Sequence, residues 1–140
     1  MAFQKYEPRT GGGKPNHLAN SRFPFCWLGR SGAKPPSNIA FNGAALELFG
    51  AGTTHIEIMW DRDERMFAFI PSPRSSAAAM KLGTASKGRD DVRRIGMTGL
   101  VKAFPELESL GGRVWRILPD MSEGFYVARF ASQKEISEYE

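Results

Sequence analysis

Cysteine and histidine are scarce in this chain of 140 residues, which has one cysteine and two histidines. The single Cys26 excludes an internal disulfide framework and fits a reducing compartment. His55 and Glu57 form the H-x-E pair that zinc deaminases use, but those enzymes also need a P-C-x-x-C element, which one cysteine cannot supply. We therefore expect no metal site, no cofactor and no catalytic residue, and we expect that the protein is not an enzyme.

Long apolar runs are also missing. No stretch approaches the roughly 20 residues that span a bilayer, and the first ten residues lack the apolar core of a secretory signal. Hydrophobic residues nevertheless make up 41% of the chain, enough for the core of one domain of this length. We expect a cytoplasmic protein with no membrane partner.

Positive charge is concentrated at the start of the chain. Residues 1–37 contain six basic residues and one acidic residue, whereas residues 38–140 contain 13 basic and 14 acidic residues. A basic arm on a near-neutral body can bind a polyanion. Such arms are also common as solvated extensions without a partner.

A nucleic-acid site is predicted from basic and aromatic residues. Phe23, Phe25 and Trp27 alternate along a predicted strand and share one face, with Arg22 and Arg30 on either side. Such a face can stack unpaired bases, although aromatic residues in a strand more often belong to a core. A polar loop adds further basic residues near 87–94. The predicted nucleic-acid-binding set is Lys14, Arg22, Trp27, Arg30, Lys34, Lys87, Arg89, Arg93 and Arg94.

The stretch 38–72 organises the predicted fold. It predicts a strand, a short helix, a second strand, a charged turn and a third strand. Asn42 is a good N-cap for the helix. Ile56, Ile58 and Trp60 alternate in the strand that follows and are expected on its buried face.

The same order of elements returns at 94–130. Thr98 takes the place of Asn42 as the predicted helix cap. The other matches are Ile39 with Ile95, Phe41 with Met97, and Leu28-Gly29 with Leu82-Gly83. Identity between the two units is low, so chance similarity is the alternative. A true repeat predicts two units paired about a pseudo-two-fold axis, with a core of Phe41, Ile56, Ile58, Phe67, Met97, Val114 and Tyr126.

We therefore predict an α+β fold. It is a single domain of two tandem β(β)αββ-like units that form a mostly antiparallel sheet with two short helices. The predicted organisation is a basic flexible leader at 1–37, a body at 38–130 with units at about 38–72 and 80–130, and a polar tail at 131–140. The leader contains one strand near 23–28, and Pro24 predicts that this strand lies at a sheet edge.

The sequence pattern of the first unit resembles that of small bacterial, archaeal and phage proteins with a duplicated α+β fold. The resemblance rests on an I-x-F-N strand, a small helix that ends in L-F-G and an alternating strand closed by a W-D turn. It implies no activity, because repeated α+β units occur in ligand sensors and in nucleic-acid binders alike.

The charge pattern favours a non-enzymatic nucleic-acid-binding or regulatory protein that uses a basic arm and a basic loop. The alternative is a protein-interaction module, an inhibitor or adaptor of the kind that a phage or mobile element encodes, for which an edge strand and a flexible arm are suited. Salt dependence separates the two, because binding to phosphates releases counterions.

Overall fold

A computed structural model describes residues 18–19, 21–29, 36–50, 52–72, 77–83, 92–122, 124–132, 134 and 136. Within these residues the chain forms eight strands and three short helices. The strands are β1 (Phe25–Leu28), β2 (Asn38–Phe41), β3 (His55–Asp61), β4 (Met66–Ser72), β5 (Met80–Lys81), β6 (Arg93–Gly96), β7 (Val114–Ser122) and β8 (Phe125–Phe130). The helices are α1 (Gly43–Phe49), α2 (Thr98–Ala103) and a 3₁₀ helix (Pro105–Leu110).

The described strands form one sheet in the order β5-β3-β4-β8-β7-β1-β2-β6, with all neighbours antiparallel. The two outer strands approach each other, because the backbone N–H of Gly83, just after β5, donates to the carbonyl of Arg94 in β6 at 2.8 Å. The adjacent Leu82 N–H donates to Thr54 on the other side. The sheet is therefore a nearly closed barrel, and the predicted mostly antiparallel sheet is confirmed.

The barrel interior is filled by side chains that alternate along each strand, as period-two patterns require. Phe41, Phe49 and Phe69 contact one another edge to face, with ring centroids 5.1 to 5.9 Å apart. Of the predicted core residues, Phe41, Ile56, Phe67, Met97 and Val114 are buried, whereas Ile58 and Tyr126 are partly buried against the core.

A second apolar cluster lies on the outside of the barrel, over β1 and β7. It contains Leu18, Phe25, Trp27, Ala40, Val92, Val114 and Ala131. Residues of the predicted leader and tail therefore belong to the packed domain, since Leu18 is buried and Ile136 packs against the same cluster.

The predicted edge position of the strand near 23–28 is wrong. β1 pairs with β2 on one side and with β7 on the other, and its four residues are all buried. Pro24 does not prevent this, because it precedes the first paired residue. Its carbonyl accepts a hydrogen bond from the N–H of Ile117.

The predicted cap of the second helix is displaced by one residue. Met97 is the N-cap and has no side-chain capping bond, and Thr98 is the first residue of α2. Met97 is fully buried. The alternation nevertheless matches the first unit, because Ile95 and Met97 enter the core as Ile39 and Phe41 do.

The predicted cap of the first helix is confirmed, and its role is larger than capping. Asn42 is fully buried, and its Oδ1 accepts from the N–H groups of Ala45 at 3.0 Å and Phe25 at 3.1 Å. Its Nδ2 donates to the carbonyls of Leu18 at 2.7 Å and Phe23 at 2.8 Å. One side chain thus joins α1, the start of β1 and the segment before it.

We predict that Asn42→Ala lowers the free energy of unfolding by about 3 kcal/mol or more, because loss of an N-cap costs about 1 kcal/mol and each buried polar group left unpaired costs about 1–3 kcal/mol. Urea denaturation followed by tryptophan fluorescence measures the change. Thr98→Ala is the control, with an expected change within about 0.5 kcal/mol, as for surface positions in general. An equal effect of the two substitutions would contradict the role of Asn42 as the side chain that joins α1, β1 and the segment before β1.

Candidate functional site

Four residues of the predicted nucleic-acid-binding set lie in the described part of the chain: Arg22, Trp27, Arg93 and Arg94. The other predicted members, Lys14, Arg30, Lys34, Lys87 and Arg89, lie outside the described residues. The structure brings the three arginines together at one end of the barrel and places Trp27 in a buried cluster.

Arg93 and Arg94 begin β6, opposite the end of β2. Arg93 pairs with Phe41 and Arg94 with Ala40. Successive strand residues point to opposite faces, so Arg94 extends outward and is exposed. Arg93 shares the face of the buried Ile95 and is half-buried at the barrel end.

Arg22 lies at the same end of the barrel. Its neighbour Phe23 is held to Asn42, which directly follows Phe41, the partner of Arg93 in the sheet. Arg22 therefore precedes β1 and Arg93 begins β6, two strands that point the same way and have only β2 between them. Arg22 is exposed.

Lys81 is a fourth basic residue at this end, and the sequence interpretation missed it. It is exposed in β5 and pairs with His55 at the start of β3. Two residues later Gly83 contacts β6. The sequence signal is the adjacent Leu82-Gly83 pair, which the predicted repeat matches with Leu28-Gly29, but the approach of Lys81 to β6 depends on barrel closure. Arg22, Lys81, Arg93 and Arg94 are called the basic end below.

No described acidic residue forms an ion pair with the basic end. Among the described residues the ion pair joins Arg62 to Glu106, at the opposite end of the barrel. None of the four basic-end residues takes part in it. Two acidic residues, Glu47 on α1 and Asp120 in the last part of β7, are exposed near the same end.

At the opposite end of the barrel, an arginine is paired with an acidic side chain. Arg62 Nε lies 2.7 Å from Glu106 Oε1, which also accepts from Trp60 Nε1 at 3.0 Å. The backbone N–H of Glu106, followed by the side chains of Arg62 and Trp60, holds the pKa of the Glu106 carboxyl below its usual value against an opposing effect of desolvation. Arg62 therefore fastens the β3–β4 turn to the 3₁₀ helix.

Trp27 is in the second apolar cluster and only 5% exposed. Its ring is enclosed by the packing over β1, so we leave it out of the candidate site. Phe23 is 37% exposed and adjoins Arg22. Of the three aromatic residues predicted to share a face, Phe23 is the one with substantial exposed surface at the basic end.

The residues with possible catalytic chemistry do not form a relay. His55 pairs with Ser72 across β3 and β4, but His55 Nδ1 lies 2.8 Å from Thr54 Oγ1 and Ser72 Oγ donates to Glu57, so no hydrogen bond links the imidazole to the Ser72 hydroxyl. Cys26 is fully buried, and burial raises the pKa of its thiol well above the ordinary value. No group of three or more metal-ligating side chains occurs among the described residues.

No protein-family model, curated protein or solved structure matches this chain. In the ranges that the structure describes, none of the helices has the length and apolar character needed to cross a membrane. The candidate site therefore rests on geometry and charge alone.

Proposed function

We propose that this protein is a non-enzymatic nucleic-acid-binding or regulatory protein whose basic end contacts phosphates. The observation that carries the proposal is the convergence of Arg22, Arg93 and Arg94, three residues of the predicted set, at one end of the barrel without a described ion-pair partner. Basic side chains gathered at one end of a domain form the electrostatic footprint of a phosphate-binding site.

Other predicted basic residues are close in sequence to the residues of the basic end. Lys14 belongs to the segment that joins the described chain at Leu18, which Asn42 holds beside the start of β1. The segment between Gly83 and Val92 contains Lys87 and Arg89 together with Asp90 and Asp91, and Gly83 contacts β6 beside the basic end. Arg30 and Lys34 belong to the segment between Gly29 and Pro36, at the opposite end of β1 and β2, and the proposal does not use them.

Phe23 gives the basic end an aromatic surface next to Arg22. Single-stranded nucleic acids bind where bases stack on aromatic rings beside a basic groove. A preference for single strands over duplex is therefore part of the proposal. We further propose that the protein acts in the cytoplasm, for which the support is the single cysteine.

A protein-interaction module is the second candidate, and one observation favours it. The outer faces of β3, β4 and β8 present apolar side chains, with Met59 38% exposed. The partner would bind this face, because barrel closure leaves little free strand edge for an added strand.

We also propose that the barrel is an internal duplication, in which β1–β4 and β5–β8 are equivalent. In this scheme β1, β2, β3 and β4 correspond in turn to β5, β6, β7 and β8. The β1–β2 pairing then corresponds to the approach of β5 to β6, and the β1–β7 pairing corresponds to the β5–β3 pairing. Exchanging the two halves turns β3–β4 into β7–β8 and returns β2–β6 and β4–β8 to themselves. No pairing is left without a counterpart.

Backbone bonds at the two Leu-Gly pairs support the duplication. Leu28 and Gly29 donate to Arg113 and Asn38, at 3.1 and 2.8 Å. Leu82 and Gly83 donate to Thr54 and Arg94, both at 2.8 Å. Each Leu-Gly pair thus joins two segments. The leucine bonds to the residue before the long hairpin of the other half, and the glycine bonds to the strand before the helix of its own half.

We predict that Arg93→Ala/Arg94→Ala weakens oligonucleotide binding and lowers the slope of log K against log[salt] by roughly 1.4 for single strands, because each lost phosphate contact removes about 0.7 from the slope. Fluorescence anisotropy with single-stranded and duplex probes at several salt concentrations measures both quantities. Lys102→Ala/Arg113→Ala removes the same charge at the opposite end of the barrel and serves as the control. Equal losses in the two variants, with unchanged melting temperatures, would reduce the effect to net charge and refute the basic end as the site.

The duplication predicts similar hydrogen-exchange protection at equivalent amides. We expect the Gly83 amide to be protected to within roughly tenfold of the Gly29 amide, since equivalent closing bonds open with similar free energies. The exposed Gly52 amide, in a turn, is the unprotected reference. Exchange at Gly83 as fast as at Gly52 would mean that β5 and β6 are not joined in solution and would refute the equivalence.

A further inference from the structure

The outer surface of β3, β4 and β8 forms an apolar face. Its members are Met59, Met66, Ala68, Ile70, Phe125 and Val127, which alternate with the core residues of the same strands. None of the six belongs to either apolar cluster or packs against one. A shallow groove of about 200 Å³ runs over this face, with Met59, Met66, Ala68, Phe125 and Val127 in its walls.

The strand register arranges this face in rows. In the middle row, Met59 pairs with Ala68 and Ala68 pairs with Val127. In the row below, Glu57 pairs with Ile70, and Phe125 lies two residues before Val127 on the same face of β8. The apolar residues are therefore concentrated on the two central strands, β4 and β8.

Charge along the third row changes sign from one side of the face to the other. Asp61 on β3 pairs with Met66 on β4, and Arg116 on β7 pairs with Arg129 on β8. Acidic Glu57 and Asp61 thus border the face at β3, while Arg129 and Arg116 border it at β8 and β7. A surface with acid on one side, base on the other and apolar residues between them is complementary to itself.

We propose that a second copy of this chain covers the apolar face through a two-fold axis parallel to the strands, between β4 and β8. This rotation places Ala68 opposite Val127 of the second copy and Ile70 opposite its Phe125. It also places Asp61 opposite Arg116 of the second copy, so the charges attract in both directions. An isologous interface of this kind closes at a dimer.

The size of the face sets the strength of the dimer. Four strands about 4.8 Å apart and five residues of about 3.4 Å each give a patch of roughly 20 by 17 Å. That patch is smaller than the roughly 800 Å² per partner of a standard stable interface, and interfaces of this size are transient. The dimer is therefore weak and forms at high protein concentration.

Sedimentation equilibrium of the full chain, without nucleic acid, over roughly 10 μM to 1 mM tests the proposal in the range of transient complexes. The expected result is a reversible monomer–dimer equilibrium that higher salt weakens. Val127→Lys and Met59→Lys, two independent positions of the face, should each raise the dissociation constant at least about tenfold. Glu47→Gln makes a charge change of +1 on α1, away from the face, and should leave the constant unchanged.

A monomer throughout this concentration range would overturn the proposal, as would a dimer that neither Lys substitution weakens. The rotation places residue 129 opposite Met66 of the second copy, one strand away from its Asp61. Arg129→Glu adds a test of the charge pattern, because a carboxylate beside that Asp61 should weaken the dimer more than Arg129→Ala. Equal effects of these two variants would overturn the proposed two-fold arrangement. Oligonucleotide binding by the basic end is measured separately, so the two proposals stand or fall independently.

Discussion

The four hydrogen bonds of the buried Asn42 side chain determine how this chain closes on itself. Its Oδ1 fixes the first turn of α1 and the start of β1, and its Nδ2 fixes the segment at Leu18 and Phe23. A fully buried amide is stable only when its polar atoms are paired. The sequence before β1 therefore takes part in the fold, with Leu18 placed over the outside of the sheet.

The same constraint decides which charges come together. By holding Phe23 beside the end of β2, Asn42 brings Arg22 to the end of the barrel where β6 begins with Arg93 and Arg94. At the other end Glu106 pairs with Arg62 and accepts a hydrogen bond from Trp60, so the charge of Arg62 is balanced within the fold. The two ends differ in electrostatics although the strand pairings are alike. In the proposed dimer, an axis parallel to the strands keeps the two basic ends on one side.

Local patterns in the sequence predict the elements well, and their long-range pairing poorly. Alternation identifies the buried faces of β3 and β4, and Asn42 is identified as a cap because its side-chain chemistry is local. Burial of both faces of β1 depends on β7, almost 90 residues later, and on Leu18 outside it. Trp27, one of three alternating aromatic residues for which the sequence allows both a base-stacking face and a core, therefore lies in a core. Lys81 joins the basic end only because the sheet closes.

Amide chemical-shift mapping tests the central claim, that the basic end is where nucleic acid binds, most directly. A short oligothymidylate is titrated into ¹⁵N-labelled full-length protein at low salt. We predict the largest shifts at Arg22, Phe23, Arg93 and Arg94, with smaller ones at Lys81 and none at Arg62 or Lys102. Shifts centred on Arg62 and Lys102, or no shifts at all, would contradict it.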